Sequence, residues 1–284
     1  MDINPNTQLC GLLGNPVAHS LSPAIHNAAF RELNLNFVYL AFPVEDLEGA
    51  IQGIRAMGNL RGFSVTIPHK VAILPLLDGV EKTAKNIGSV NTVIKDRGRL
   101  IGSNTDASGA IQALRQGDVD LSGKRVVLLG SGGAARAIAF GLCLEQPIEE
   151  LTVLGIDDTE RTTLAHDLRS KTPVKILDES LNPDTLRMRL PQAQLLIHTT
   201  PIGMHPNIGE TCVPKDLLHP DLTVMDIVYN PLHTQLLKDA KTADCRTIQG
   251  VEMFLHQAVG QFELWTGESA PVKVMRHVLT SHFS

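Results

Sequence analysis

One short segment places a narrow constraint on what this chain can fold into. An apolar run, Val126–Leu129, breaks directly into Gly130-Ser131-Gly132-Gly133 and then into the helix-forming residues Ala134-Ala135-Arg136. Strand, glycine turn and helix in this order are typical of dinucleotide-binding folds, where one glycine allows a tight turn and a later one lets the backbone approach a pyrophosphate. Because such glycines also occur for packing alone, the segment by itself leaves both interpretations open.

The sequence around this turn favours the nucleotide-binding interpretation. Residues 134–146 have the pattern of a helix, and beyond Lys124 apolar runs alternate with helical stretches. This alternation predicts a parallel sheet covered by helices on both faces. The predicted strands are Val126–Leu129, Leu151–Leu154, Val174–Leu177, Leu195–His198 and Val224–Val228.

The first half of the chain is also α/β in pattern, but it has no glycine-rich dinucleotide turn. Its predicted strands are Gln8–Leu13, Phe37–Phe42, Gly62–Thr66 and Thr92–Lys95, with helices near 23–34, 46–57, 69–77 and 80–87. A polar turn, Gly102–Asp106, separates the halves, and the chain becomes helical after Gly250. We therefore predict a first domain of residues 1–106, onto which residues 251–284 pack back, and a second domain of residues 107–250.

Composition limits the possible partners. The 284 residues carry a net charge of −5 without a basic stripe, so nucleic acid is not an expected partner. No apolar run approaches the ~18 residues of a spanning helix, and the N-terminus lacks a signal-peptide pattern, so we expect a cytoplasmic protein without a membrane partner. Four scattered cysteines and eleven scattered histidines predict neither disulfides nor a metal site.

Two serines in the first half lie in a loop that follows a predicted strand. Ser20 and Ser22 are two residues apart, just before Pro23. Ser22 could simply cap the next helix. Alternatively, the two hydroxyls could donate hydrogen bonds to a carboxylate in a small pocket.

A lysine follows the strand that contains Ser64 and Thr66, after a proline turn. A lone lysine is usually solvated, whereas Lys70 at a buried strand end could be partly removed from water and exchange protons near neutrality. Asn91 and Asp106 lie in two further polar clusters, either of which could be turn chemistry alone. Together the clusters offer neutral donors and acceptors, a carboxylate and an ammonium, which suit a polyhydroxylated ligand.

Taken in order, these motifs resemble the shikimate dehydrogenase family, specifically its quinate/shikimate dehydrogenase branch. The resemblance rests on G-x-P-x-x-H-S-x-S-P, V-T-x-P-x-K, V-N-T, N-T-D, G-x-G-G-A, T-P-x-G-M and a C-terminal Q-A, which span nearly the whole chain. It implies an α/β protein with two lobes, an N-terminal α/β substrate domain and a Rossmann-type, doubly wound parallel-sheet cofactor domain, with a cleft between them. It also implies an enzyme that transfers hydride between the 3-hydroxyl carbon of shikimate and a nicotinamide cofactor.

The resemblance also implies roles for individual residues. Lys70 would be the general acid/base, with Asp106 as its partner across the reacting hydroxyl; which protonation state Lys70 rests in stays open. The residues implied to bind substrate are Ser20, Ser22, Ser64, Thr66, Lys70, Asn91, Asp106, Tyr229 and Gln257. Those implied to bind cofactor are Gly130, Ser131, Gly132, Gly133, Ala134, Asp157, Asp158, Thr199, Ile227 and Gly250.

Two departures from the family pattern refine these expectations. Ser64 stands where most shikimate-specific members have Asn, and a smaller residue leaves room for quinate, so we predict turnover of both substrates. Asp157 and Asp158 stand a little over twenty residues beyond Gly132. An acidic residue near that distance bonds the ribose 2′-hydroxyl in NAD-binding folds, so we predict NAD, with NADP possible. The two aspartates could instead only begin the next helix, and Arg161 could still reach a 2′-phosphate.

Two further interpretations of the whole chain stay open. The chain could be a strictly NADP-linked shikimate dehydrogenase of aromatic biosynthesis, or a non-catalytic sensor of a nucleotide and a polyhydroxy acid. His198, unusual for the family before the Thr-Pro step, is expected to be a satisfied core histidine. We expect small-molecule partners only, and the oligomeric state, monomer or homodimer, stays open.

Overall fold

The computed structural model describes residues 3–282, and the chain forms two compact units. The first consists of Met1–Thr105 with Gln257–Ser284, and the second of Asp106–His256. Each unit has its own six-stranded sheet. Among the described residues, no helix combines the length and apolar character that spanning a bilayer requires.

The first unit is built on a mixed sheet. Its strands are β1 (Gln8–Gly14), β2 (Phe37–Pro43), β3 (Leu60–Val65), β4 (Gly79–Val80), β5 (Thr92–Asp96) and β6 (Arg99–Ser103). They lie in the order β2-β1-β3-β5-β6-β4. β1 runs parallel to β2 and β3, whereas β5 runs antiparallel to both β3 and β6. The carboxyl ends of β1, β3 and β6 and the start of β5 therefore lie at one edge of the sheet.

Helices cover this sheet. They are α1 (Ser22–Glu32), α2 (Leu47–Ala56), α3 (His69–Ala72), α4 (Lys82–Ile87), the end of α10 (Gly250–Thr266), and α11 (Val272–His282). Trp265 on α10 is fully buried, and its indole nitrogen donates a hydrogen bond to the Val93 carbonyl. Gly62 makes room for it, because a Cβ there would lie 2.3 Å from the indole nitrogen.

The second unit has the parallel sheet predicted from the apolar runs. Its strands are β7 (Arg125–Leu129), β8 (Glu150–Gly155), β9 (Lys175–Ser180), β10 (Leu195–His198), β11 (Thr223–Asp226) and β12 (Arg246–Gln249). All neighbours are parallel, in the order β12-β11-β10-β7-β8-β9. The helices are α5 (Asp106–Gln116), α6 (Gly133–Glu145), α7 (Asp158–Lys171), α8 (Pro183–Arg189), α9 (Gln235–Thr242) and the first turns of α10. This doubly wound order, with its switch between β7 and β10, confirms the predicted α/β fold.

Several predicted boundaries are wrong for local reasons. The helix expected over 69–77 ends early and continues as a 3-10 turn, Leu74–Leu76, because Pro75 lacks an amide hydrogen. The strand expected over Val224–Val228 ends at Asp226, whose carboxylate accepts the Val228 amide at 3.0 Å. The turn expected over Gly102–Asp106 is partly strand, since β6 pairs with β5 as far as Ser103.

Candidate active site

Polar segments of the first unit meet at the sheet edge where β1 and β3 end. The Thr66 amide donates to the Leu13 carbonyl and the Asn15 amide to the Ile67 carbonyl, both at 2.9 Å. The chain after β1 therefore lies directly against the chain after β3. A Cβ on Gly14 would meet Thr66 at 2.3 Å, so the close approach requires glycine. The segments that follow β1 and β3, which contain the two predicted serines and Lys70, therefore begin side by side.

The serine pair lies where α1 begins. Leu21 is the N-cap of α1, so the capping explanation for Ser22 is wrong. The Ser22 amide donates to Ser20 Oγ at 3.2 Å. The Ser22 side chain is buried and forms a hydrogen bond with the Tyr39 hydroxyl. The two predicted carboxylate ligands therefore lie next to each other, and Tyr39 holds the side chain of Ser22.

Lys70 lies on α3, beyond the end of β3. Its side chain is half-buried, as is that of Thr66. The Lys70 carbonyl accepts the Val90 amide at 2.8 Å, which ties α3 to the segment before β5. The backbone therefore brings Thr66, Lys70 and Asn91 to one sheet edge, as the motif order implies.

The Asn91 side chain is held by hydrogen bonds to Thr92 and to Thr105, which follows β6. Its Oδ1 accepts the Thr105 amide at 2.8 Å and the Thr92 hydroxyl at 2.7 Å, and its Nδ2 donates to Thr105 Oγ1 at 3.0 Å. This is turn chemistry, but the buried amide is also rigidly presented. Asp106 follows Thr105 directly and is the first residue of α5, in the second unit. Its pairing with Lys70 stays a prediction.

A buried chain of hydrogen bonds lies below this edge. The Tyr39 hydroxyl donates to Ser64 Oγ at 2.7 Å, and Ser64 donates to Gln261 Oε1 at 2.9 Å. Gln261 Nε2 donates in turn to Thr92 Oγ1 at 3.1 Å. Ser64 is thus a member of a buried network, and whether it also contacts substrate stays a prediction.

Tyr39 and Gln261 are not among the site residues predicted from the sequence. Gln261 is one turn beyond Gln257 on α10, a spacing that places both amides on the same helix face. Gln257 is buried. This Gln-x-x-x-Gln spacing was the available signal, whereas nothing around Tyr39 distinguishes it from an ordinary strand tyrosine.

In the second unit, the glycine turn connects β7 to α6 as predicted. Gly130 has a φ of +109°, a backbone region that favours glycine. Gly132 is the N-cap of α6, which has no side-chain cap, and a Cβ there would meet nothing within 4 Å. Ser131 is buried. The helix N-terminus is therefore uncapped and open at Gly132, which fits a pyrophosphate held by backbone amides.

The start of the loop after β10 packs on this turn. Thr199 donates its hydroxyl to the Leu129 carbonyl at 2.6 Å, and a Cβ on Gly130 would lie 2.4 Å from that hydroxyl. Thr199 therefore lies at the switch point between β7 and β10, where ligands of doubly wound sheets bind.

Loops after β11 and β12 are also closely packed. A Cβ on Gly250 would lie 2.4 Å from the Ile227 carbonyl oxygen, so only glycine fits there without a backbone shift. Tyr229 packs against Phe254, with 4.7 Å between ring centroids, and burial raises the pKa of its phenol. Thr199, Ile227 and Gly250 thus follow three neighbouring strands at one edge of the sheet.

The acidic pair after β8 has local partners. Asp157 is the N-cap of α7 and accepts the Glu160 amide at 2.8 Å. Asp158 forms an ion pair with Arg161, which also lies 3.8 Å from Asp178. Ile156, next to this pair, is 84% exposed. Both aspartates are therefore explained by the start of α7 without a ribose ligand.

Comparisons with known proteins show to which family the chain is similar. Residues 12–93 match the model of the shikimate dehydrogenase substrate binding domain, and residues 250–280 that of the shikimate 5′-dehydrogenase C-terminal domain. A shikimate dehydrogenase (NADP(+)) from Methanopyrus kandleri is 46% identical and aligns with 99% of this chain and 98% of its own length.

Solved structures extend the likeness to the fold. Shikimate 5-dehydrogenase from Listeria monocytogenes, in complex with shikimate and NAD, is 38% identical over 98% of each chain, with a TM-score of 0.92. A shikimate dehydrogenase in complex with NADP+ is 39% identical, covers 100% of this chain and 98% of its own, and also has a TM-score of 0.92. Quinate dehydrogenase from Corynebacterium glutamicum, in complex with NAD, is 31% identical over 97% and 99% of the two chains, with a TM-score of 0.89.

These comparisons do not support the predicted preference for NAD. The Methanopyrus kandleri relative is named for NADP(+), and the solved relatives include complexes with either cofactor. A physical reason lies in α7: the Asp157 carboxylate caps the helix and Asp158 pairs with Arg161, so the start of α7 accounts for both residues without a ribose contact. The comparisons also favour the narrower shikimate interpretation over the predicted dual substrate range.

Proposed function

Because this chain belongs to the shikimate dehydrogenase family, we propose that it is an oxidoreductase that interconverts shikimate and 3-dehydroshikimate with a nicotinamide cofactor, NADP in preference to NAD. The observation that carries the proposal is the meeting of Thr66, Lys70 and Asn91 at one edge of the first sheet. Supporting it, the second unit has an open glycine turn at its topological switch point. The preference for NADP is proposed because a relative named for NADP(+) is similar to this chain over nearly the whole length of both proteins.

Substrate binding is assigned to the first unit. Ser20 and Ser22 would donate hydrogen bonds to the substrate carboxylate, and the family resemblance adds Tyr229, which belongs to the second unit. Thr66, Asn91 and Gln257 would hold ring hydroxyls. The hydrogen bonds that fix Asn91 pre-organise its amide for this task, because a fixed donor loses little freedom when it binds.

Proton transfer is assigned to Lys70 with Asp106. Lys70 would take the proton of the 3-hydroxyl as the carbon–hydrogen bond breaks, which avoids a protonated ketone, and would return it in the reverse direction. Asp106 would orient the Lys70 ammonium. A bound nicotinamide supplies the hydride acceptor or donor. Its pyrophosphate would lie on the segment Gly130–Ala134, with Thr199, Ile227 and Gly250 near the nicotinamide end.

Turnover of quinate is a second candidate activity. It rests on Ser64, which is smaller than the Asn of shikimate-specific members, and on the likeness to a quinate dehydrogenase. The sensor alternative is disfavoured because Lys70 and Asp106 are both present, and ligand binding alone does not need an acid/base pair.

The decisive experiment is a two-by-two comparison of initial rates, with shikimate and quinate against NADP and NAD. We expect kcat/KM to be highest for shikimate with NADP. Activity with none of the four combinations would overturn the proposed enzyme. A larger kcat/KM with NAD would overturn the cofactor assignment alone, and quinate turnover above background would establish the wider substrate range.

A further inference from the structure

The buried side chains of His198 and Asp226 join two neighbouring strands of the second unit at their carboxyl ends. These residues are the last of β10 and β11 and lie directly opposite each other in the parallel register. His198 Nδ1 lies 2.9 Å from Asp226 Oδ1, and the side chains are 2% and 0% exposed. Parallel strands that end in register bring their following loops together, so the pair lies at the root of both loops.

Each member of the pair also holds its own loop. The other ring nitrogen, Nε2, is hydrogen-bonded to Thr200 Oγ1, which accepts the Ile202 amide at 3.3 Å. Asp226 Oδ1 accepts the Val228 amide at 3.0 Å, and its Oδ2 accepts the Thr234 hydroxyl at 2.6 Å. Every carboxylate oxygen is thus satisfied, which a buried ion pair requires if it is not to be costly.

We infer that His198 is a positioning residue for the cofactor. Its ring joins the loop that begins at Thr199 to the loop that begins at Ile227, and it orients the Thr200 hydroxyl. This inference rests on the proposed function, because it assigns those loops to the nicotinamide cofactor. It adds a residue that the family motifs leave out.

The backbone around the pair supports this role. The Ile227 amide donates to the His198 carbonyl at 3.1 Å. On its other side, the Ile227 carbonyl packs on Gly250, and Thr199 packs on the glycine turn at Gly130. A change at the His198 ring would therefore be transmitted through Thr200 and Asp226 to backbone that lies at the switch-point edge.

Protonation of the ring sets the direction of the Thr200 hydroxyl. Burial lowers the pKa of His198, but its hydrogen bonds to Asp226 and Cys212 and its electrostatic attraction to the Asp226 carboxylate outweigh burial and raise the pKa to about 9. A charged ring donates through Nε2 to Thr200, so the hydroxyl can donate its own hydrogen elsewhere. A neutral ring accepts that hydrogen instead. Asp226 on β11 and Cys212 in the loop before Pro214 are the titratable groups that interact with the ring among the described residues.

The test measures binding of NADPH by fluorescence titration to the wild-type full chain and to three variants of it: His198→Asn, Thr200→Val and Thr200→Ser. At pH 7.5 we expect the Kd to rise at least fivefold in His198→Asn and in Thr200→Val, and to stay within twofold of wild type in Thr200→Ser, which keeps the hydroxyl. The Kd of the wild type should rise as the pH is raised above 9, whereas the Kd of Thr200→Val should not change with pH between 7.5 and values above 9.

Three results would overturn the inference: an unchanged Kd in Thr200→Val, an equal loss in Thr200→Ser, or the same pH profile in Thr200→Val and wild type. Thr200→Val keeps the buried His198–Asp226 pair, so it answers the question even where His198→Asn does not fold. A wild-type protein that binds neither NADPH nor NADH would instead overturn the proposed function, which keeps the two failures distinct.

Discussion

The Asp157 carboxylate accepts a hydrogen bond from the Glu160 amide, with 2.8 Å between Oδ1 and the nitrogen, and so closes the first turn of α7. A carboxylate used in this way stabilises the helix through its cap and through the helix dipole. The cap therefore accounts for Asp157 without a cofactor. The spacing from the glycine turn predicts a different role, a hydrogen bond with the ribose 2′-hydroxyl of the cofactor.

Substitutions at Asp157 separate these two roles. Asp157→Asn keeps a capping oxygen and removes the charge, so we expect the ratio of kcat/KM for NADP and NAD to change less than about threefold. Asp157→Ala removes the cap and should lower the free energy of unfolding by about 1 kcal/mol. Initial rates and urea unfolding measure the two effects. A gain of NADP activity by an order of magnitude in Asp157→Asn would instead show that the carboxylate repels the 2′-phosphate.

Gly132 provides a test of the glycine turn that is free of packing effects. A Cβ at Gly132 would meet no atom within 4 Å and its φ is −72°, so Gly132→Ala should fold with a melting temperature close to wild type. If cofactor phosphates lie against this backbone, the added methyl group should raise the Kd for NADPH about tenfold or more.

Gly53→Ala on α2 is the matched control, because a Cβ at Gly53 also meets nothing within 4 Å. It should raise stability by about 0.5–1 kcal/mol, as alanine does in a helix, and leave cofactor binding unchanged. Equal NADPH affinity in Gly132→Ala and wild type would place the pyrophosphate elsewhere.

How far sequence predicts this fold depends on where each strand lies in its sheet. β7 and β8 are buried almost throughout, so each appears as an apolar run. β12 is an edge strand in which only Ile248 is buried, and its sequence Arg-Thr-Ile-Gln carries no such run. Edge strands that bury one residue leave little hydrophobic signal, and β12 was accordingly missed.

The residues of the candidate site also differ in how far they can be predicted from the sequence. Ser22, Thr66 and Lys70 lie within motifs, so the sequence alone is enough to predict them as site residues. The hydrogen bond between Ser64 and Gln261 joins residues 197 positions apart, and only the packing of α10 on the sheet reveals it. Non-local polar contacts have no periodic signature: nothing in the sequence marks Tyr39, and the spacing of Gln261 from Gln257 does not reveal which strand residues Gln261 contacts.

The buried hydrogen-bond chain predicts coupling between Tyr39 and Ser64. Tyr39→Phe and Ser64→Ala each remove one partner of a 2.7 Å hydrogen bond and should each lower the free energy of unfolding by about 1–2 kcal/mol. The double variant should lose less than the sum of the two single losses, because the first substitution already breaks the hydrogen bond between Tyr39 and Ser64. Urea unfolding of the four proteins measures the coupling, and strict additivity would show that this hydrogen bond contributes nothing.

His26 predicts a pH dependence of stability. The ring is fully buried and stacked on Tyr39, with 4.6 Å between centroids, and burial lowers its pKa to about 3, partly offset by Gln261. Between pH 6.5 and 3 the unfolded chain therefore binds one more proton at this residue than the folded chain, so stability falls as the pH falls. From pH 7 to pH 5 the expected loss is about 2 kcal/mol.

His26→Phe isolates this contribution, since phenylalanine keeps the stacking and does not titrate. We expect its free energy of unfolding to fall less than that of wild type over the same pH range, by the same ~2 kcal/mol. Unfolding in urea at pH 7 and pH 5 gives the comparison. Equal losses in the two proteins would mean that His26 is protonated in the folded state at pH 5.

Lys70 carries the largest predicted effect on activity. If its amine takes the proton of the 3-hydroxyl, Lys70→Ala should lower kcat about 100- to 10,000-fold, while the Kd for shikimate, measured by calorimetry, should change much less. Lys85→Ala, which removes an exposed lysine of α4, should leave both quantities unchanged and serves as the control. If Lys70 and Asp106 act as one unit, Asp106→Asn in the Lys70→Ala background should lower kcat little further, because the effects of groups that act together are not additive.

A Lys70→Ala variant that keeps a tenth of the wild-type kcat would exclude Lys70 from the chemical step. A variant that loses shikimate binding as strongly as kcat would make Lys70 a binding residue.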